Sequence, residues 1–242
     1  MKKTFASIIL ISILAACAPA TDLPVNTAVP VPTATVAATD TPMPEALWIS
    51  PAVPINLLAV ARSWDIPITD DPALATHKLD VAEAGSVWIY ALVAPFPTVT
   101  DDVTYADLIS TWGGSSSGPI TGHAVLLAES TLEAFTALWG EPASGVVRVV
   151  SPDELIDAAW TESAWAIIPF EAIQPKWKVL SVDGQSPVDK DFDADVYPLK
   201  INFGLSNPES FELPESNRDA SKLATVVLTG VTAIVRATAA TM

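Results

Sequence analysis

Histidine and cysteine are nearly missing from this sequence, and basic residues are few. It has two histidines, one cysteine, and twelve lysines and arginines together in 242 residues. A lone cysteine excludes an internal disulfide. His77 and His123 have no partner at HxxxH or HxE spacing, so neither points to a metal centre. There is no G-x-S-x-G elbow, no P-loop and no G-x-G-x-x-G. The formal net charge is −16, and losing Lys2 and Lys3 with a cleaved signal would make it two charges more negative. Such a surface repels phosphate backbones and anionic headgroups, which argues against nucleic acid as a partner. After the first apolar stretch, no run is long and uninterrupted enough to span a bilayer.

What is present at the start is a processing signal. Lys2 and Lys3 form a positive region, and Phe5 to Leu14 an apolar stretch too short for a stable membrane helix. The stretch ends in Leu14-Ala15-Ala16-Cys17, which resembles a bacterial lipobox. Small residues there admit the peptidase, and the cysteine thiolate takes the lipid. An ordinary signal peptide with an incidental cysteine is the other reading, but the sole cysteine sits where a lipobox requires it. Residues 1–16 are therefore expected to be a signal peptide and Cys17 a lipidation site. More than one acyl chain would make the anchoring stable. Residues 17–45 are Pro, Thr, Ala and Val with almost no charge, the composition of an extended tether.

From about Ala46 the chain alternates between strand-like and helix-like stretches. Leu47–Ser50 reads as a strand, and a helix follows around Ile55–Trp64, with Ser50 expected near its cap and Pro51 in its first turn. Val87–Ala94 is a continuous apolar run, the pattern of a strand buried on both faces. Thr104-Tyr105-Ala106-Asp107 opens a helix that stops at Gly113-Gly114. Ala124–Ala128 is a buried strand. Ser130-Thr131-Leu132-Glu133 has capping-box spacing, ahead of a helix stopped by Gly140. Val146–Val150 is a strand, and Ser151-Pro152-Asp153-Glu154 a second capping box. Strands are further expected over Trp165–Pro169, Lys178–Val182 and Tyr197–Phe203. Short connections between such elements argue for an α/β fold with mainly parallel sheets.

Ligands of such folds bind beyond the carboxyl ends of strands, where helix starts converge. Ser50, Ser130 and Thr131 lie at such junctions and are the candidate ligand-binding residues; Ser151 lies at another. Each could equally be a plain cap. No catalytic or metal site is expected, and no cofactor. The runs Asp70-Asp71, Asp101-Asp102 and Asp189–Asp195 read as solvated faces. The Gly113–Gly118 loop could form an anion-binding nest or be a plain surface loop.

The stretch VWIYALVAPFPTVTDDVTYADLISTWGG, the helix ESTLEAFTALWG and the strand WAIIPF together resemble type II periplasmic binding proteins of the phosphate-binding kind. That resemblance implies a two-lobed α/β fold with chain crossings near Ala94–Phe96 and Ile168–Phe170. It puts Leu47–Val93 and roughly Ile168–Leu205 in one lobe, and Ala94–Ile167 in the other. WKVLSVDGQSPVD, YPLKINFGL and SNRDASKLATVVLTGVTAIVRATA are further similar to lipoproteins of the CapA type, which serve poly-γ-glutamate or capsule synthesis. On that likeness residues 46–207 form the binding-protein-like domain. Residues 208–242 form a linker and the first strand, Leu223–Leu228, of a truncated metallophosphatase-like domain. Gly230-Val231 stands where that family often has Gly-Asp, so a metal-ligand carboxylate is missing. The expectation is a lipid-anchored, extracytoplasmic, non-catalytic binding module for capsule or poly-γ-glutamate synthesis, taking a small polar solute or polyglutamate. The alternative is the solute-binding lipoprotein of a transporter.

Overall fold

The computed structural model describes residues 44–226 apart from Ser116. The signal, Cys17 and nearly all of the tether lie outside the described residues. So do Val227 and Leu228 of the expected last strand; its first part, 223–226, takes no strand conformation, and Val226 is exposed. No helix among the described residues is long and apolar enough to cross a membrane.

The chain order is β1 (Leu47–Ile49), α1 (Ile55–Arg62), β2 (His77–Pro95), β3 (Asp102–Val103), α2 (Tyr105–Trp112), β4 (Val125–Leu127), α3 (Glu129–Trp139), β5 (Val147–Val149), α4 (Leu155–Glu162), β6 (Trp165–Pro169), β7 (Trp177–Val182) and β8 (Lys200–Leu205). β2 organises the rest. Its amino half pairs with β1 and β8, and its carboxyl half with β6 and β7. One 19-residue strand thus serves two sheet segments, and partners change over between Ile89 and Tyr90.

The apolar run in β2 is buried on both faces, as its composition requires. From Tyr90 onward the strand alternates: Tyr90, Leu92 and Ala94 enter one apolar cluster, and Ala91 and Val93 the other. That split is the period of two written in side chains. α3 brings Ala134 and Phe135 to the first cluster, where Phe135 meets Tyr90 edge-on at 5.1 Å. α4 brings Leu155 and Ala159 to the second. β4 lies between β5 and β6 and is parallel to both. The chain therefore leaves β4 through α3 to one side and returns through α4 to the other. With crossovers of constant hand, that puts the two helices on opposite faces.

Three expectations need correction. The chain does not cross between segments at Ala94–Phe96. Pro95 ends β2, because proline brings no N–H to continue a ladder. Nor does Ile168–Phe170 carry the chain back, since β7 still pairs with the carboxyl half of β2; the return falls between Val182 and Lys200. The sheet is mixed rather than mainly parallel, because β6, β7 and β8 all run antiparallel to β2.

The stretch beyond residue 208, expected as a linker, lies across β2 at the changeover. Val87 donates to the Glu215 carbonyl at 2.8 Å and bridges to Ser216. The Asn217 side chain accepts from the Ile89 N–H at 2.8 Å and donates to the Ile89 carbonyl at 2.9 Å. It also donates to Glu171 Oε2 at 2.6 Å. Arg218 sits 4.6 Å from the Phe192 ring centre and donates to the carbonyls of Pro187 and Asp189. Asn217→Ala strips Ile89, itself buried, of its partners on this edge. It is expected to lower stability by about 1–3 kcal/mol, read by urea unfolding. A change under about 0.5 kcal/mol would show that the strap is merely resting on the strand.

Candidate functional site

Three helix starts open onto one cleft. Its walls include Ile55 at the start of α1, Ser130 and Thr131 in the first turn of α3, and Leu155 and Ile156 in the first turn of α4. The strand ends come to the same place. Ala128 follows β4, Pro152 follows β5, and Ile168-Pro169 closes β6. All three parallel strands thus deliver their carboxyl ends to the cleft, at the point where the chain turns from one side of β4 to the other. That is where open α/β sheets receive ligands. Ala172, Gln174 and Trp177 complete the wall, and the cavity measures about 100 Å³.

The electrostatics follow from the helix ends. α1, α3 and α4 each begin with no side-chain cap. α2, whose start faces elsewhere, is capped: Thr104 Oγ1 accepts from the Asp107 N–H at 3.1 Å. First-turn amides have no carbonyl partner within their helix, and the macrodipole adds partial positive charge there. Thr131 is 1% exposed, and its hydroxyl oxygen is enclosed without a hydrogen-bond partner. A buried hydroxyl in that state is unfavourable by about 1–3 kcal/mol. Among the described residues no charged side chain lines the cleft.

No family model matches the chain, and no curated protein matches it. Among solved structures, an ABC-type phosphate transport receptor from Vibrio cholerae superposes with a TM-score of 0.54 at 13% identity, over 66% of this chain and 85% of that one. The chain has the two-lobed α/β fold of type II periplasmic binding proteins. A protein described as a phosphate ABC transporter substrate-binding protein with bound phosphate, from Clostridium perfringens, aligns over 68% of this chain and 86% of its own at 13% identity, with a TM-score of 0.46.

In this type II fold the candidates read from sequence part company. Ser130 and Thr131 both line the cleft, though not as caps. α3 starts two residues earlier than the capping box implies, with Ala128 at its N-cap, so both residues are already helical. Ser50 is elsewhere, in a separate groove with Trp48, Arg62 and Asp70. It does not cap α1, whose N-cap is Pro54; its hydroxyl instead accepts from the Ala52 N–H at 3.3 Å in a local turn. The second capping box also fails. Ser151 pairs with the Glu154 carboxylate at 3.0 Å, and α4 starts only at Leu155. α1 still reaches the cleft, through Ile55.

Most of the remaining polar candidates have structural partners. His123 Nδ1 lies 2.8 Å from the Ser163 carbonyl and its ring stacks on Trp165, while His77 is buried edge-on to Phe211 with its Nδ1 unpartnered. Asp101 pairs with Lys178 at 2.7 Å, Asp102 accepts from the Gly184 N–H at 2.9 Å, and Asp71 from the Ala73 N–H at 2.8 Å. In the Gly113–Gly118 loop, Ser117 donates to Asp107 Oδ1 at 2.7 Å. Hydrogen bonds from Ser117 and Thr104 hold the Asp107 carboxyl below its ordinary range. The Gly114 and Ser115 N–H groups already bond the Thr111 and Ser110 carbonyls at 2.9 and 2.8 Å, so these two amides are not open to an anion. Among the described residues no three His, Cys, Asp or Glu side chains come together as a metal site.

Proposed function

We propose that this chain is a solute-binding lipoprotein, held outside the cytoplasm by lipid on Cys17, that captures a small polar solute in the cleft between the starts of α1, α3 and α4. It acts by binding rather than catalysis. One observation carries the reading. Three uncapped helix starts and three strand ends converge on one cavity, which Ser130 and Thr131 help to line. The similar receptor from Vibrio cholerae is a phosphate transport receptor, which supports a transporter as the partner. A place in capsule or poly-γ-glutamate synthesis rests on the sequence resemblance alone, and it adds polyglutamate to the ligands worth testing.

A thermal-shift screen of the full chain against phosphate, glutamate, short polyglutamates and small polar solutes tests this. Ile156→Asp puts a carboxylate into the cleft. Ligands that raise the wild-type midpoint are expected to leave this variant unshifted, because the new charge is desolvated and repels an acceptor. Ser50→Ala is expected to respond as wild type does. Hits that shift Ile156→Asp as much as wild type would move the site out of this cleft.

A further inference from the structure

We infer that residues 214–219 are a clasp, tying together both passages of chain between the two sheet segments and fixing the adjoining wall of the cleft. This goes beyond the solute reading and holds whatever the cleft takes.

The passages come first. The chain crosses between the segments along β2 at Ile89–Tyr90 and again between Val182 and Lys200. Turning one segment against the other must bend both passages, as at any hinge. One edge of β2 is thinly covered at the first of them. β8 pairs along one side as far as Ile89. On the other side β1 stops at Leu79, and β6 takes over only from Tyr90. Among the described residues no strand fills that gap; the strap does. Ser86 donates to the Pro214 carbonyl, Val87 to that of Glu215, and Asn217 takes both backbone groups of Ile89.

The remaining bonds of the strap reach past this crossing. Asn217 Nδ2 donates to Glu171 Oε2 at 2.6 Å, a bond strengthened by the carboxylate charge. Glu171 belongs to the turn Phe170–Ala172 after β6, and Pro169 and Ala172 line the cleft. Arg218 donates to the carbonyls of Pro187 and Asp189, both at 2.7 Å, and so holds the second passage. Its guanidinium lies 4.6 Å from the Phe192 ring centre and 6.0 Å from that of Phe170. Upstream the strap is fixed to the first segment, where Phe211 stacks on Trp64 at 4.7 Å. One short stretch therefore joins the first segment, both passages and the cleft wall. Asn217 and Arg218 are only half-buried. Bonds of that kind open at a lower free energy than a core does, so the clasp can lift with both segments still folded.

Hydrogen exchange of the full chain, read amide by amide, tests this. The probes are Ile89 on the first passage, Ile173 on the cleft wall and Asp189 on the second passage. The N–H groups of Ile173 and Asp189 bond the Phe170 and Ser186 carbonyls, not the strap, so only a common motion links them to it. In wild type the three are expected to share one opening constant, at least about tenfold above that of Val150 and Trp165 in the core. Asn217→Ala is expected to raise all three together by at least about fivefold. Glu171 is exposed, so Glu171→Ala should fold as wild type does. By cutting the tie to the wall, it is expected to raise the same three by about threefold or more. Three results would each overturn the clasp. Probes that open no more than Val150 and Trp165 would mean that the segments part only on global unfolding. Asn217→Ala accelerating Ile89 alone, or Glu171→Ala leaving all three unchanged, would mean a strap that covers β2 without holding the passages.

Discussion

Trp165→Ala is expected to destabilise the chain by about 3–5 kcal/mol. Trp165 is fully buried and heads the largest enclosed side chains. It opens β6, opposite Val125 of β4, and the His123 ring stacks on it at 4.9 Å and 17°. Removing the indole leaves a cavity beside β4 and β6, two of the strands whose carboxyl ends reach the cleft. Trp165→Phe should lose much less. The indole N–H has no partner, so phenylalanine removes an unsatisfied donor along with part of the ring. Urea unfolding with an unchanged slope measures both. A loss under about 1 kcal/mol for Trp165→Ala would mean that this part of the core collapses freely around the gap.

The second large effect is expected at Gly85. The register between β2 and β8 slips there: Val81 and Ser86 both pair with Phe203, so the residues between them bulge outward. Gly85 closes the bulge at φ +144°, and a Cβ would collide with the Phe203 carbonyl oxygen. Strained backbone and overpacking together put Gly85→Ala at about 2–5 kcal/mol. Gly122→Ala is the control. Its φ is +84°, yet nothing lies within 4 Å of its added Cβ, so it should cost about 1–2 kcal/mol of conformational strain alone. Equal losses at the two positions would remove the collision from the explanation.

Local pattern carried the element order well. β6 begins and ends where its apolar run does, and Thr104 caps α2 through Asp107, as the spacing implies. The amino half of β2 is less legible, although buried His77 and Leu79 alternate with exposed Lys78. Its burial is broken by Glu83, Ala84 and Gly85, which lie exposed on the bulge. The caps failed for one reason. Ser50, Ser130 and Ser151 satisfy the spacing of a cap, but helix starts are set by where the preceding strand and turn release the chain. The cleft was half legible. Ser130 and Thr131 follow a strand directly, and that junction is visible in sequence. Ile55, Ile156 and Trp177 join them only because β4 lies between β5 and β6 and α1 approaches from the other sheet segment. Strand order is a long-range property, and no local spacing encodes it.

The most direct test is a crystal structure of the full chain with the solute that gives the largest thermal shift. The expected result is that solute in the cleft between the starts of α1, α3 and α4, against Ile156, Ile168 and Trp177. A ligand seated instead in the groove beside Ser50 and Arg62 would contradict it.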